Sequence, residues 1–200
     1  SGNAGIPNWG VENVYGLVVL DKFLPASVYV TTFIEDDFYR GLQHGRNKPW
    51  IKYRMPRFAL EELAEFVWHK YFTDTQEINR REREAEPAEV RVTRAAAKLK
   101  EMDELLKSRG YRHLVFISPT RQEALGQRPV DARVQRALAA QRVDAIYLLD
   151  RLPAATPEER RAWYQDNDHL TAKGHAVWAG LIHEELVRVL GPRREAVARR

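Results

Sequence analysis

AEVRVTRAAAKLKEMDELLKSRGYRHLVFIS, residues 88–118, decides the fold. Over 88–109 it places Val92, Ala95, Ala96, Leu99, Met102, Leu105 and Leu106 at three- and four-residue spacing, the apolar stripe of an amphipathic helix. Gly110 stands where a helix ends on a left-handed residue. His113–Ser118 then reads as a short apolar strand, closed by Pro119. A helix feeding a buried strand is half of a βαβ unit, and the pattern recurs on both sides. Upstream, residues 10–24 are predicted helical, stopping before Pro25, and 27–34 (SVYVTTFI) form a strand that ends in the charged loop Glu35-Asp36-Asp37. Downstream follow a helix at about 129–142, a strand Ala145–Leu149 ending at Asp150, and a short helix 156–164 with Thr156 as N-cap and Pro157 in its first turn. A last helix over 171–189 stops at Gly191-Pro192. Residues 3–7 read as the tail of one further strand.

Strands separated by helices pair in parallel, and right-handed crossovers cover both faces of the sheet. The expected fold is therefore α/β, three layers built on a parallel, flavodoxin-like sheet. One domain is expected over 1–190, with a basic tail at 191–200. In such sheets, chemistry gathers where the strands' carboxyl ends open into loops. The turn after Asn3, the acidic loop after Ile34 and the loop holding His169 all stop at that edge.

Bulk composition excludes several classes. With 44% apolar and 30% charged residues the chain is expected to be globular, not disordered. No apolar run approaches the ~18 residues that span a bilayer. With no cysteine, disulfides, thiolate metal sites and a cysteine nucleophile are excluded. The net charge of +4 reads as arginine-rich composition, and nucleic acid is not the expected partner. Residues 41–86 fit the alternating pattern least. There Arg46, Lys48, Lys52, Arg54 and Arg57 interleave with Trp50, Tyr53 and Phe58, which reads as a surface loop or as a lip touching substrate or membrane. A helix at 59–72 and a solvated charge run at 77–86 follow.

The sharpest chemical signal is Tyr164-Gln165-Asp166-Asn167-Asp168-His169-Leu170-Thr171-Ala172-Lys173-Gly174-His175. In a tight turn, the spacing of Asp166 and His169 lets the carboxylate reach Nδ1 of the imidazole. That bond sets the tautomer and leaves Nε2 as a general base. The pair can also be read as a helix cap, Asp168 as the orienting acid, or Asp166, Asp168, His169 and His175 as metal ligands. His175 is expected to pack or cap within the last helix. His44, His69, His113 and His183 read as surface or structural histidines.

The stretch from Asp166 to Gly180 resembles the last conserved block of the SGNH (GDSL-type) ester hydrolases. Asn3-Ala4-Gly5-Ile6-Pro7-Asn8-Trp9-Gly10 resembles that family's second block, and Phe33-Ile34-Glu35-Asp36-Asp37-Phe38 its third. The resemblance covers most of the chain outside 41–86. It implies a serine-type hydrolase of small esters, lipids or acylated sugars, with acyl transfer as a variant and with no cofactor or metal. It makes Asp166 the orienting acid and His169 the base. It also puts Asn8 at the oxyanion-hole glycine and Asp36 at the oxyanion-hole asparagine.

The chain departs from the family in two ways. Asp36, if ionised, cannot donate a hydrogen bond to an oxyanion. And none of Ser1, Ser27, Ser108 and Ser118 stands in the glycine-rich turn that carries the family's nucleophile. That block is expected upstream of Asn3, so this chain alone is expected to be inactive. With its first strand absent it is also expected to be poorly soluble or to dimerise through sheet edges. Two other classes stay open: a carbohydrate- or lipid-binding domain that keeps the fold without catalysis, and a phosphate-binding flavodoxin-like domain.

Overall fold

The structure, a computed structural model, describes residues 9–20, 26–41, 58–72 and 86–191. Its helices are α1 (Val11–Val19), α2 (Ala59–Tyr71), α3 (Ala88–Ser108), α4 (Arg121–Ala124), α5 (Ala132–Ala140), α6 (Pro157–Ala162) and α7 (Ala172–Leu190). Its strands are β1 (Val28–Phe33), β2 (Arg112–Ile117) and β3 (Ala145–Tyr147), in spatial order β1-β2-β3. Arg112 N–H donates to Ser27 O, and Ser118 N–H to Phe33 O. Partner numbers rise together, so β1 and β2 run parallel. β2 and β3 are parallel with Phe116 opposite Ile146. The chain is thus α/β on a parallel sheet. β2 buries Val115, Phe116 and Ile117 in succession, as a strand covered on both faces must.

The chain divides into two units. In the first (1–29, 36–113 and 132–144), α3 packs against both α1 and α5. Val92, Ala95, Ala96, Leu99, Met102 and Leu106 of α3 are buried with Val11 and Val18 of α1 and Val134 and Leu138 of α5. Arg94 fastens α3 to α1 through Glu12 at 2.7 Å, and Glu86 takes its other nitrogen at 2.6 Å. The α3 stop is a Schellman motif. Gly110, at φ +81°, donates to Lys107 O, and Tyr111 N–H donates to Leu106 O.

The second unit (30–35, 114–131 and 145–200) holds most of the sheet and a core of Phe116, Ala124, Leu148, Trp163, Tyr164 and Trp178. Capping boxes start its two short helices. Thr120 with Glu123 opens α4, and Thr156 with Glu159 opens α6, where Pro157 stands in the first turn as expected.

Several boundaries differ from the sequence expectations. The helix expected over 10–24 ends at Val19, and residues 21–25 lie outside the described ones. The charged loop Glu35-Asp36-Asp37 is a 3₁₀ turn, Glu35–Phe38, with the carboxyl side chains of Glu35 and Asp37 buried. Asp37 is neutralised by Arg40 at 2.8 Å, and Glu35 takes partners far along the chain. The helix expected at 129–142 runs from Ala132 to Ala140, and just past its C-terminal end Arg142 adopts a left-handed φ of +53°. β3 stops at Tyr147, and Leu148–Arg151 turn as a 3₁₀ helix. Among the described residues, no helix is long and apolar enough to cross a membrane.

Candidate active site

The segment Gln165–His169 is a loop pinched at its base. Tyr164 and Leu170 form an antiparallel bridge, and Gln165 N–H donates to His169 O at 2.8 Å. Thr171 then turns the chain into α7. Its hydroxyl donates to Ala162 O and accepts the N–H of Gly174, capping the helix.

Within this loop Asp166 makes three hydrogen bonds. Oδ1 accepts the backbone N–H of Asp168 and of His169, both at 2.8 Å, and Oδ2 lies 2.7 Å from His169 Nδ1. The backbone N–H groups of His169 and Asp168 and the imidazole, in that order, hold the Asp166 carboxyl down to about 2. An ionised carboxylate only accepts, so Nδ1 is the donor and neutral His169 carries its lone pair on Nε2. The imidazole is largely solvent-facing, 79% exposed. Asp166, not Asp168, meets His169 Nδ1; Asp168 Oδ1 accepts from Asn167 Nδ2 at 2.8 Å.

This loop is fastened to the carboxyl end of β2. Tyr164 Oη donates to Pro119 O at 2.8 Å. Arg121 N–H, one of the donors that the first turn of α4 leaves unpaired, donates to Asn167 O at 2.8 Å. Trp178 Nε1 donates to Ser118 Oγ at 2.8 Å, and the Trp178 ring meets Tyr164 edge-on at 5.6 Å. Asp166 and His169 therefore sit beside the edge where parallel α/β sheets form sites.

Of the two residues that the resemblance assigns to an oxyanion hole, Asn8 lies outside the described residues, and Asp36 is an exposed residue of the 3₁₀ turn and belongs to the first unit. Ser118 is no candidate nucleophile: it is buried, with its hydroxyl engaged by Trp178. Ser108 Oγ donates to Leu105 O at the end of α3, and Ser27 precedes β1 at the opposite edge. Ser1 lies outside the described residues, as does nearly all of the basic and aromatic insert. His175, expected to pack or cap within the last helix, is exposed on the first turn of α7 and does not pack inward. His113 is structural as expected, buried beside Asp103. Among the described residues, no three of His, Asp and Glu come together as a metal site. The supporting residues Tyr164, Asn167 and Trp178 were not singled out from sequence. The T-x-x-E pattern of Thr120-Arg121-Gln122-Glu123 is the one readable sign of the element that holds them.

No family model, no curated protein and no solved structure matches this chain.

Proposed function

We propose that this chain belongs to a serine-type ester hydrolase of the SGNH kind, acting on small esters, lipids or acylated sugars. His169 is the general base and Asp166 its orienting acid. Nε2 takes the proton of a serine hydroxyl as the oxygen attacks the ester carbonyl, and returns it to the leaving alcohol. Water, or an acceptor alcohol in the transfer variant, then releases the acyl group by the same route.

The observation that carries this reading is the economy of Asp166. An exposed ion pair contributes little to stability. Here one carboxylate nevertheless commits two backbone N–H groups and an imidazole to holding a solvent-facing Nε2 in place. The strand order also supports it. β1-β2-β3 matches the 3-4-5 arm of a flavodoxin-like 2-1-3-4-5 sheet, the three-layer fold proposed here. The nucleophile is a serine other than Ser27, Ser108 and Ser118. The resemblance assigns Asn8 and Asp36 to the oxyanion hole. An ionised Asp36 withholds one donor there, a loss of about 2.7–4 kcal/mol in the transition state.

The test is hydrolysis of short-chain nitrophenyl esters by the native-length protein. His169→Ala is expected to lower turnover by about 10²–10⁴-fold, and unchanged turnover refutes the assignment. A second reading, carbohydrate or lipid binding without turnover, is favoured by one observation, the exposed Asp36 carboxyl at the asparagine position.

A further inference from the structure

Two residues beyond the end of β1, Glu35 is carried into the interior and is 1% exposed. Its Oε1 accepts the backbone N–H of Asp131 at 2.6 Å, and Oε2 faces Nη2 of Arg128 at 3.3 Å. From α4 comes a second buried carboxyl, Glu123, 4% exposed. Its Oε2 accepts the N–H of Thr120 at 2.7 Å. Its Oε1 is buried with no hydrogen-bond donor among the described residues, and Arg128 Nη2 stands 3.8 Å away. Glu35 Oε2 and Glu123 Oε1 thus converge on one guanidinium nitrogen, Arg128 Nη2.

Two buried carboxylates facing one half-exposed arginine carry an uncompensated negative charge, and the Glu123 oxygen lacks a donor. One proton removes both problems. Held on Glu35, it cancels a charge and donates to Glu123 Oε1.

We propose that Glu35 and Glu123 share one proton, and that this acid pair is a pH-sensitive clasp fastening the end of the β1 segment, at Glu35, to the segment 118–131. Losing the proton to solvent leaves two carboxylates opposed across Arg128 and opens the clasp. Burial, then the neighbouring Glu123, push the Glu35 carboxyl up to about 8, against the pull of the Asp131 N–H and Arg128. The other groups facing the pair do not supply a compensating charge. Tyr147, at the end of β3, has a buried hydroxyl with no partner among the described residues and is pushed up to about 12, so it stays neutral. Asp150, whose charge also acts on Tyr147, adds no positive charge. Tyr164 faces Glu123, is pushed up mainly by burial and is also neutral; Arg160 faces Tyr164 and donates to Ala124 O.

The clasp stands without any assumption about catalysis. Its consequence for turnover rests on the hydrolase reading. Segment 118–131 supplies Pro119 O and Arg121 N–H to the loop of Asp166 and His169, and Glu35 directly precedes Asp36.

The experiment follows the carboxyl carbons of Glu35 and Glu123 by NMR, and melting temperature, over roughly pH 4 to 9.5. In the wild type, Glu35 is expected to titrate near 8. The melting temperature should fall by about 5 °C between roughly pH 6 and 9. Glu35→Gln donates an amide N–H to Glu123 without titrating, so it should flatten that fall. Glu123→Gln should bring Glu35 down toward the ordinary carboxylate range. A wild-type Glu35 that titrates at about 4–5 overturns the clasp, and so does a Glu35→Gln profile parallel to wild type. If either variant fails to fold, the wild-type titration decides alone. None of these readouts uses turnover, so failure of the hydrolase reading leaves them intact.

Discussion

At the scale of single residues, some side chains only hold the candidate site in place. Ser118 holds. Ser118→Ala is expected to keep the native-length protein's turnover while costing about 1–3 kcal/mol in denaturant unfolding, because the buried Trp178 N–H loses its acceptor. A collapse of turnover in a folded variant would make Ser118 the nucleophile after all. Under the proposed hydrolase assignment, Asp36→Asn supplies a donor to the oxyanion hole and is expected to raise kcat/KM, by up to about 10²-fold. No gain would remove Asp36 from the oxyanion hole. The Asp166–His169 pairing was legible in the sequence because every partner lies within four positions. The buried state of Glu35 was not. Its hydrogen-bond partners, Arg128 and Asp131, are more than ninety residues away, and locally the segment reads only as a charged loop.

At the scale of elements, the start of α7 is the tightest packing against the candidate site. A Cβ on Gly174 would collide with the backbone carbonyl of Trp163. That carbonyl also accepts Thr171 N–H at 2.9 Å, so it cannot move freely. Gly174→Ala is therefore expected to lower stability by about 1–3 kcal/mol, read from the denaturation midpoint. A neutral change would show that α7 can slide away from Trp163. Helices with local punctuation were legible from sequence: α3 by its stripe and Gly110, α6 by Thr156 and Pro157. Those ended by other means were not. Arg142 closes α5 in a conformation usually left to glycine, and α4 is only four residues long, too short to show a period.

At the scale of the molecule, two buried groups tilt stability with pH in opposite directions. His113 has a fully buried side chain 3.3 Å from Asp103. Burial pushes its pKa down, and Asp103 only partly offsets this. The unfolded histidine takes up its proton first, so this group costs stability as pH falls below about 6.5. Glu35 is raised, so its contribution is complete below about 4.5 and is lost as pH rises toward 8. Below about 6.5 the two slopes oppose each other; above it only Glu35 acts. Wild type should therefore lose stability from about pH 6.5 to 8, in a step that Glu35→Gln removes, as measured by urea unfolding across pH. A flat wild-type profile would contradict this. The parallel α/β class was legible at this scale because strand and helix patterns alternate over 88–190. The insert readings and Asn8 fall on residues outside the described ones.

The most direct test of the central claim is fluorophosphonate labelling of the native-length protein, with peptide mapping of the modified residue. The account predicts one labelled serine, neither Ser118 nor Ser108, with labelling abolished by His169→Ala. Folded protein that takes no label, or a label that persists at the same rate without His169, would contradict it.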